Sequence, residues 1–152
     1  MSATRREVLF LLSGLVSSAV ELAALPNQAL SNQDNSLPST TYPFSELPVR
    51  TADGVAIRPV LKGKLATSES LEVHETTLPL GGMPHAPHHH VHSEMWLIRE
   101  GTVQLTINGT SHVMGPGSVG FVHSNDEHGI KTVGTTPATY FVVAVGPGAD
   151  AQ

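Results

Sequence analysis

The chain has 152 residues, enough for one domain with a core of its own. Eight basic against thirteen acidic residues give a formal charge of −5, with no basic cluster beyond Arg5-Arg6. That excludes a nucleic-acid surface, which needs a concentrated Lys/Arg patch, and the absence of cysteine excludes disulfides, thiolate ligands and a cysteine nucleophile. Abundant glycine and proline, few aromatics and frequent Val and Thr predict a turn-rich β protein.

Residues 1–29 read as a targeting segment. Arg5-Arg6 precedes an apolar run from Val8 to Val20, interrupted only by Ser13, Gly14, Ser17 and Ser18. The run is short for a bilayer span and has the length of a signal h-region. The arginine pair resembles a twin-arginine export signal, which implies a periplasmic or secreted bacterial protein. An uncleaved anchor or an amphipathic helix is the alternative. Residues 30–50 are polar and punctuated by Pro38, Pro43 and Pro48, so they cannot sustain a helix and read as a linker or arm, anchored by Tyr42 and Phe44.

The domain, 51–147, is a series of short strands. Val55–Leu61 and Ser70–Leu78 come first, the second alternating Leu71 and Val73 against Glu72 and His74. Pro79 and Gly81-Gly82 lead into a strand containing His88, and Met95–Ile98 continues from Glu94. Thr102–Ile107 and Thr110–Met114 flank Asn108-Gly109, a hairpin signal because a type I′ turn needs positive φ at both residues. Ser118–Val122, His128–Val133 and Ala138–Val145 complete the set, and 148–152 form a short, loose tail. About eight strands with close turns mean a sandwich or a closed barrel.

The chemistry concentrates between Gly82 and Gly101. Five of the eight residues from His85 to His92 are histidine, and Glu94 follows. Imidazole and carboxylate are ligands for divalent transition metals, and His88 and His90, two apart on a strand, share a face. Glu94 joins them if the chain turns in between. The bland reading is a His-rich tract that picks up metal adventitiously.

Gly82-x5-His88-x-His90-x3-Glu94-x6-Gly101 resembles the first motif of the cupin superfamily at every position. Gly115–Thr132 resembles the second, with Gly117 as the turn and His128 as a third histidine; Ser118, His123, Asn125 and Thr132 depart from the usual residues. The resemblance is to single-domain, quercetin-dioxygenase-like cupins. It implies an all-β fold, a small barrel or jelly roll whose mouth holds one divalent transition metal ion on His88, His90, Glu94 and His128. Fe(II) or Mn(II) is favoured, with Ni, Cu and Zn as alternatives. Three imidazoles and a carboxylate leave positions open for water or substrate, unlike a closed structural zinc site.

Among the remaining histidines, His89 has the opposite parity and points away, while His85 and His92 read as surface or supporting residues. His123, in place of a ring that packs, is a candidate acid/base. His74 and His112 read as ordinary strand residues, and Met83, Trp96, Phe121 and Phe141 as candidate pocket floor or core. There is no G-x-S-x-G elbow, P-loop or dinucleotide fingerprint. Two function classes remain. One is a metal-dependent small-molecule enzyme, with an O2-using dioxygenase ahead of an isomerase, decarboxylase or lyase. The other is a binding module without turnover. The expected partner is a small-molecule substrate, with a homodimer left open, and neither nucleic acid nor a stable membrane partner after signal removal is expected.

Overall fold

The computed structural model describes residues 36–151. The chain divides between Asn32 and Gln33, and every described residue belongs to the second unit. The targeting segment expected over residues 1–29 therefore lies outside the described residues.

Nine strands run in order: β1 (Arg50–Ala52), β2 (Val55–Lys64), β3 (Ser70–Leu78), β4 (Ser93–Glu100), β5 (Val103–Ile107), β6 (Thr110–Met114), β7 (Val119–Val122), β8 (His128–Thr132) and β9 (Ala138–Val145). They form a six-stranded sheet, β1-β2-β3-β9-β4-β7, and a three-stranded sheet, β6-β5-β8, in a small jelly roll. All pairings between these strands are antiparallel. The core between the sheets includes Leu78, Trp96, Ile98, Val103, Leu105, Ile130, Tyr140 and Val142, all buried. Each fully buried aliphatic side chain contributes about 1.5–3 kcal/mol, so this cluster is the main source of stability.

Turn chemistry sets the register. Asn108 and Gly109 have φ of 47° and 81°, the positive pair a type I′ hairpin demands. Asp53-Gly54 does the same between β1 and β2, with φ of 51° and 78°; this hairpin carries the same signal in the sequence and adds a strand across the expected boundary between arm and domain. Gly101, closing the first motif, has φ of 74°, and a Cβ there would strike the Pro137 carbonyl and Ala138.

Three expectations change. The strand expected around His88 is a single antiparallel bridge, His88 to His128, because Pro84 and Pro87 remove ladder donors on its approach. β2 runs on to Lys64, accommodating Pro59 by a register shift between Pro59 and Leu61. The tail is tied down: Ala149 is buried in a 3₁₀ turn, Ala149–Ala151, and Lys64 Nζ lies 3.4 Å from Asp150 Oδ2. The arm is anchored as well. Leu37 N donates to Lys64 O (2.7 Å), and the Phe44 ring lies under the guanidinium of Arg58, 4.6 Å away. Arg99 Nη1 donates to the buried Glu75 carboxylate at 2.6 Å, and Arg58 approaches the same carboxylate at 3.8 Å.

Candidate metal centre

The site is assembled by three pieces of chain. The bend before β4 carries His88, His90 and His92, β4 begins with Ser93 and Glu94, and β8 begins with His128. His88 and His128 exchange both backbone hydrogen bonds, at 3.0 and 2.8 Å, which sets their rings side by side, centroids 4.7 Å apart. The turn before β8 is stitched to the histidine bend. Asn125 N donates to His90 O (2.8 Å), Ser124 Oγ to Val91 O (2.7 Å) and Ser124 N to Ser93 Oγ (3.2 Å). Asn125 takes φ of 65°, a left-handed conformation asparagine tolerates, so replacing the motif's usual glycine leaves the turn intact.

Donor atoms of His88, His90 and His128 all lie within 4.8 Å of one another, and those of His90, His92 and Glu94 do likewise. Glu94 Oε1 is 3.3 Å from His90 Nε2, and Oε2 is 3.4 Å from His128 Nε2. Donors bound about 2.1 Å from one ion lie roughly 3.0–3.4 Å apart. The tautomers are set from behind: His90 Nδ1 donates to His92 O and His128 Nδ1 to Asp126 O, each at 2.9 Å, leaving Nε2 as the free lone pair. Those two nitrogens and His88 Nδ1 are buried without a hydrogen-bond partner. Buried polar atoms are seldom left so, and three grouped together, two of them 3.3 and 3.4 Å from one carboxylate, fit a cation. The residues present can hold a metal ion.

Electrostatics agree. Burial alone would raise the Glu94 carboxyl, but His128, His90 and His92 outweigh it and hold it below the usual range. Burial, and then neighbouring histidines, lower His88 and His92. Burial also pulls His128 down, yet Glu94 and the Asp126 carbonyl reverse this and raise it.

A cavity of about 190 Å³ opens beside the cluster. His88, Glu94 and His128 form one wall, Trp96, Ile130, Tyr140 and Val142 the apolar floor, and His74 and Thr76 the opposite wall. Burial, and then the Glu94 charge, push the Tyr140 phenol above its usual range, keeping it a neutral donor.

The structure thus brings His88, His90, Glu94 and His128 together, and leaves His89 exposed, as its parity requires. It moves others. His123 does not line the cavity: it shares the outward parity of Val119 and Phe121, is exposed, and its Nδ1 donates to Ser124 O. His92 takes the supporting of its two expected places: it is buried, stacked on His90 at 3.6 Å with Nε2 3.5 Å from Glu94 Oε1. His85 lies edge-on to His88 at 4.3 Å and lines the cavity. Of the suggested floor residues only Trp96 lies there; Phe121 and Met83 are exposed and Phe141 faces the outer side of β9. His74 and Tyr140 went unrecognised, although each sits at the inward parity of its strand.

With this geometry in view, the comparisons decide the fold. A cupin domain family model matches residues 74–144. The fold is the cupin fold. An RmlC-like cupin from Shewanella frigidimarina superposes with a TM-score of 0.61 at 17% identity, over 75% of this chain and 97% of its own. A predicted oxalate decarboxylase from Thermotoga maritima gives 0.60 at 19%, over 70% and 99%. A sugar phosphate isomerase of the cupin superfamily from Silicibacter pomeroyi gives 0.58 at 18%, over 69% and 74%. No curated protein matches by sequence.

Proposed function

We propose that this chain is a metal-dependent small-molecule enzyme, with His88, His90, Glu94 and His128 as ligands, and that it carries out an O2-using dioxygenation of a small substrate chelating through two oxygens. One observation carries the reading: three grouped, buried imidazole nitrogens lack hydrogen-bond partners, and two of their histidines line a cavity together with Glu94. A divalent transition ion bound there would supply Lewis acidity and open positions for oxygen ligands. The chain's own residues supply the rest. Trp96, Ile130 and Val142 exclude water from the floor, and Tyr140 offers a neutral hydroxyl. A cavity of about 190 Å³ is below the size of drug-like pockets and suits a compact substrate.

The named neighbours, a predicted decarboxylase and an isomerase among them, span several reactions, so the fold does not choose between them. The test is metal analysis of protein purified from its own host, then turnover of phenolics, enols and 2-oxo acids with and without O2. O2-dependent turnover supports the reading. Turnover independent of O2 replaces it with isomerase, decarboxylase or lyase chemistry, and tight binding without turnover replaces it with a binding module.

A further inference from the structure

On β3, which lines the same cavity as the ligand cluster, Glu72 and His74 are two of the polar side chains at the inward parity. His74 Nδ1 lies 2.9 and 3.0 Å from the two oxygens of Glu72, and Glu72 is buried. The carboxylate can only accept there, so Nδ1 carries the proton and Nε2 is left as a free lone pair. Among the described residues no hydrogen bond to Nε2 is found. Across β9, His74 and Trp96 both pair with Val142, and Glu72 and Glu94 both pair with Ala144. β3 and β4 are thus two strand spacings apart, about 10 Å. His74 therefore stands level with Trp96, one inward position along β3 from the level of Glu94, and lines the same cavity as His88, Glu94 and His128. It also lines a second cavity of about 300 Å³ with Glu72, Arg50 and Lys62.

Resting on the proposed metal reading, we infer that His74, oriented by Glu72, is the catalytic base of this cavity. Its substrate carries an ionisable hydroxyl next to a second metal-binding oxygen. The hydroxyl O–H bond breaks, its electron pair stays on the substrate oxygen, and the proton joins His74 Nε2 to give an imidazolium paired with Glu72. No other reactant is consumed. A histidine whose far nitrogen is held by a buried carboxylate is oriented for this role and stabilised when it becomes charged. His123, exposed on the outer face, has no such position.

The test uses zinc-loaded full-length protein and 4-nitrocatechol, neither of which turns over in the absence of O2. Calorimetry in buffers of different ionisation enthalpy counts protons released on binding, at a pH above the ordinary histidine range. Wild type should release one proton fewer per bound probe than His74→Gln, because the proton stays on the protein. Glu72→Gln should move in the same direction, and carries the test if His74→Gln does not fold. Affinity in either variant should fall about ten- to a hundredfold, the range for a lost charge-assisted hydrogen bond. Equal proton counts in wild type and folded, zinc-loaded variants overturn the inference alone. A wild type that takes up no zinc overturns the metal reading and the inference with it.

Discussion

β3 and β5 are read alike in the sequence and lie oppositely in the fold. Both alternate apolar and polar residues. In β5 the apolar set turns inward: Val103 and Leu105 are buried in the core, while Gln104 and Thr106 hydrogen-bond outside to Ser111 of β6. In β3 the polar set turns inward: Glu72 and Thr76 are buried and His74 lines the cavity, while Leu71 and Val73 sit half-buried on the outer face. Only Leu78, at the far end of β3's inward face, joins the core, so the polar stretch before it marks where the protein holds something else. The pattern continues in β4, where Glu94 shares the inward parity of Trp96 and Ile98.

The sharpest way to break this contrast is to empty the polar interior. His90→Ala or His128→Ala should lose metal affinity by more than about a hundredfold, since changes to mere supporting residues cost about 10–100-fold. His89→Ala, exposed on the other face, should bind metal within about twofold of wild type. Metal content after dialysis reads both, and equal loss from all three variants would refute the register.

On the apolar side, Leu105→Ala should lower stability by about 2–5 kcal/mol, because it is 1% exposed and leaves a cavity in the core. Val73→Ala, half-buried outside, should cost roughly 1 kcal/mol. Denaturant unfolding distinguishes them, and a larger cost for Val73 would mean that the two faces of β3 had been exchanged. Removing the metal should fall between. Ion at a hundred times its dissociation constant stabilises the folded state by about 2.7 kcal/mol. A chelator should therefore lower the unfolding temperature of wild type and leave His128→Ala unmoved.

The sequence reaches unevenly into these regions. His88, His90 and Glu94 are legible because ligand chemistry demands particular residue types at strand spacing, and Asn108-Gly109 because only a few residues take positive φ. Grouping His128 with them depends on a resemblance, since it comes from the other sheet and meets His88 only through the bridge. His74 is illegible for a different reason. Alternation shows that β3 has two unlike faces, but tertiary packing decides which is inside, and the usual rule of apolar-in gives the wrong face. His123 inverts in the same manner, turned out by the parity of β7, while the bend that stacks His92 on His90 decides between its two expected places.

The smallest effect is expected at His123, which makes it the most discriminating control. It follows Val122, whose side chain is buried, and so projects from the opposite face, where Val119 and Phe121 are 60% and 55% exposed. Its ring hydrogen-bonds only to the adjacent Ser124 carbonyl, a contact open to water. Such a bond exchanges with solvent at little net cost, and surface changes of this kind stay within about 0.5 kcal/mol. Its neighbour Ser124 differs, because Ser124 Oγ donates to Val91 O and ties the β8 turn to the histidine bend. His123→Ala should therefore match wild type in metal content, unfolding temperature and proton release on 4-nitrocatechol binding, while Ser124→Ala should loosen the site and weaken metal uptake. A loss of turnover in His123→Ala at full metal occupancy would return the acid/base role to the outer face and remove the reason for assigning it to β3.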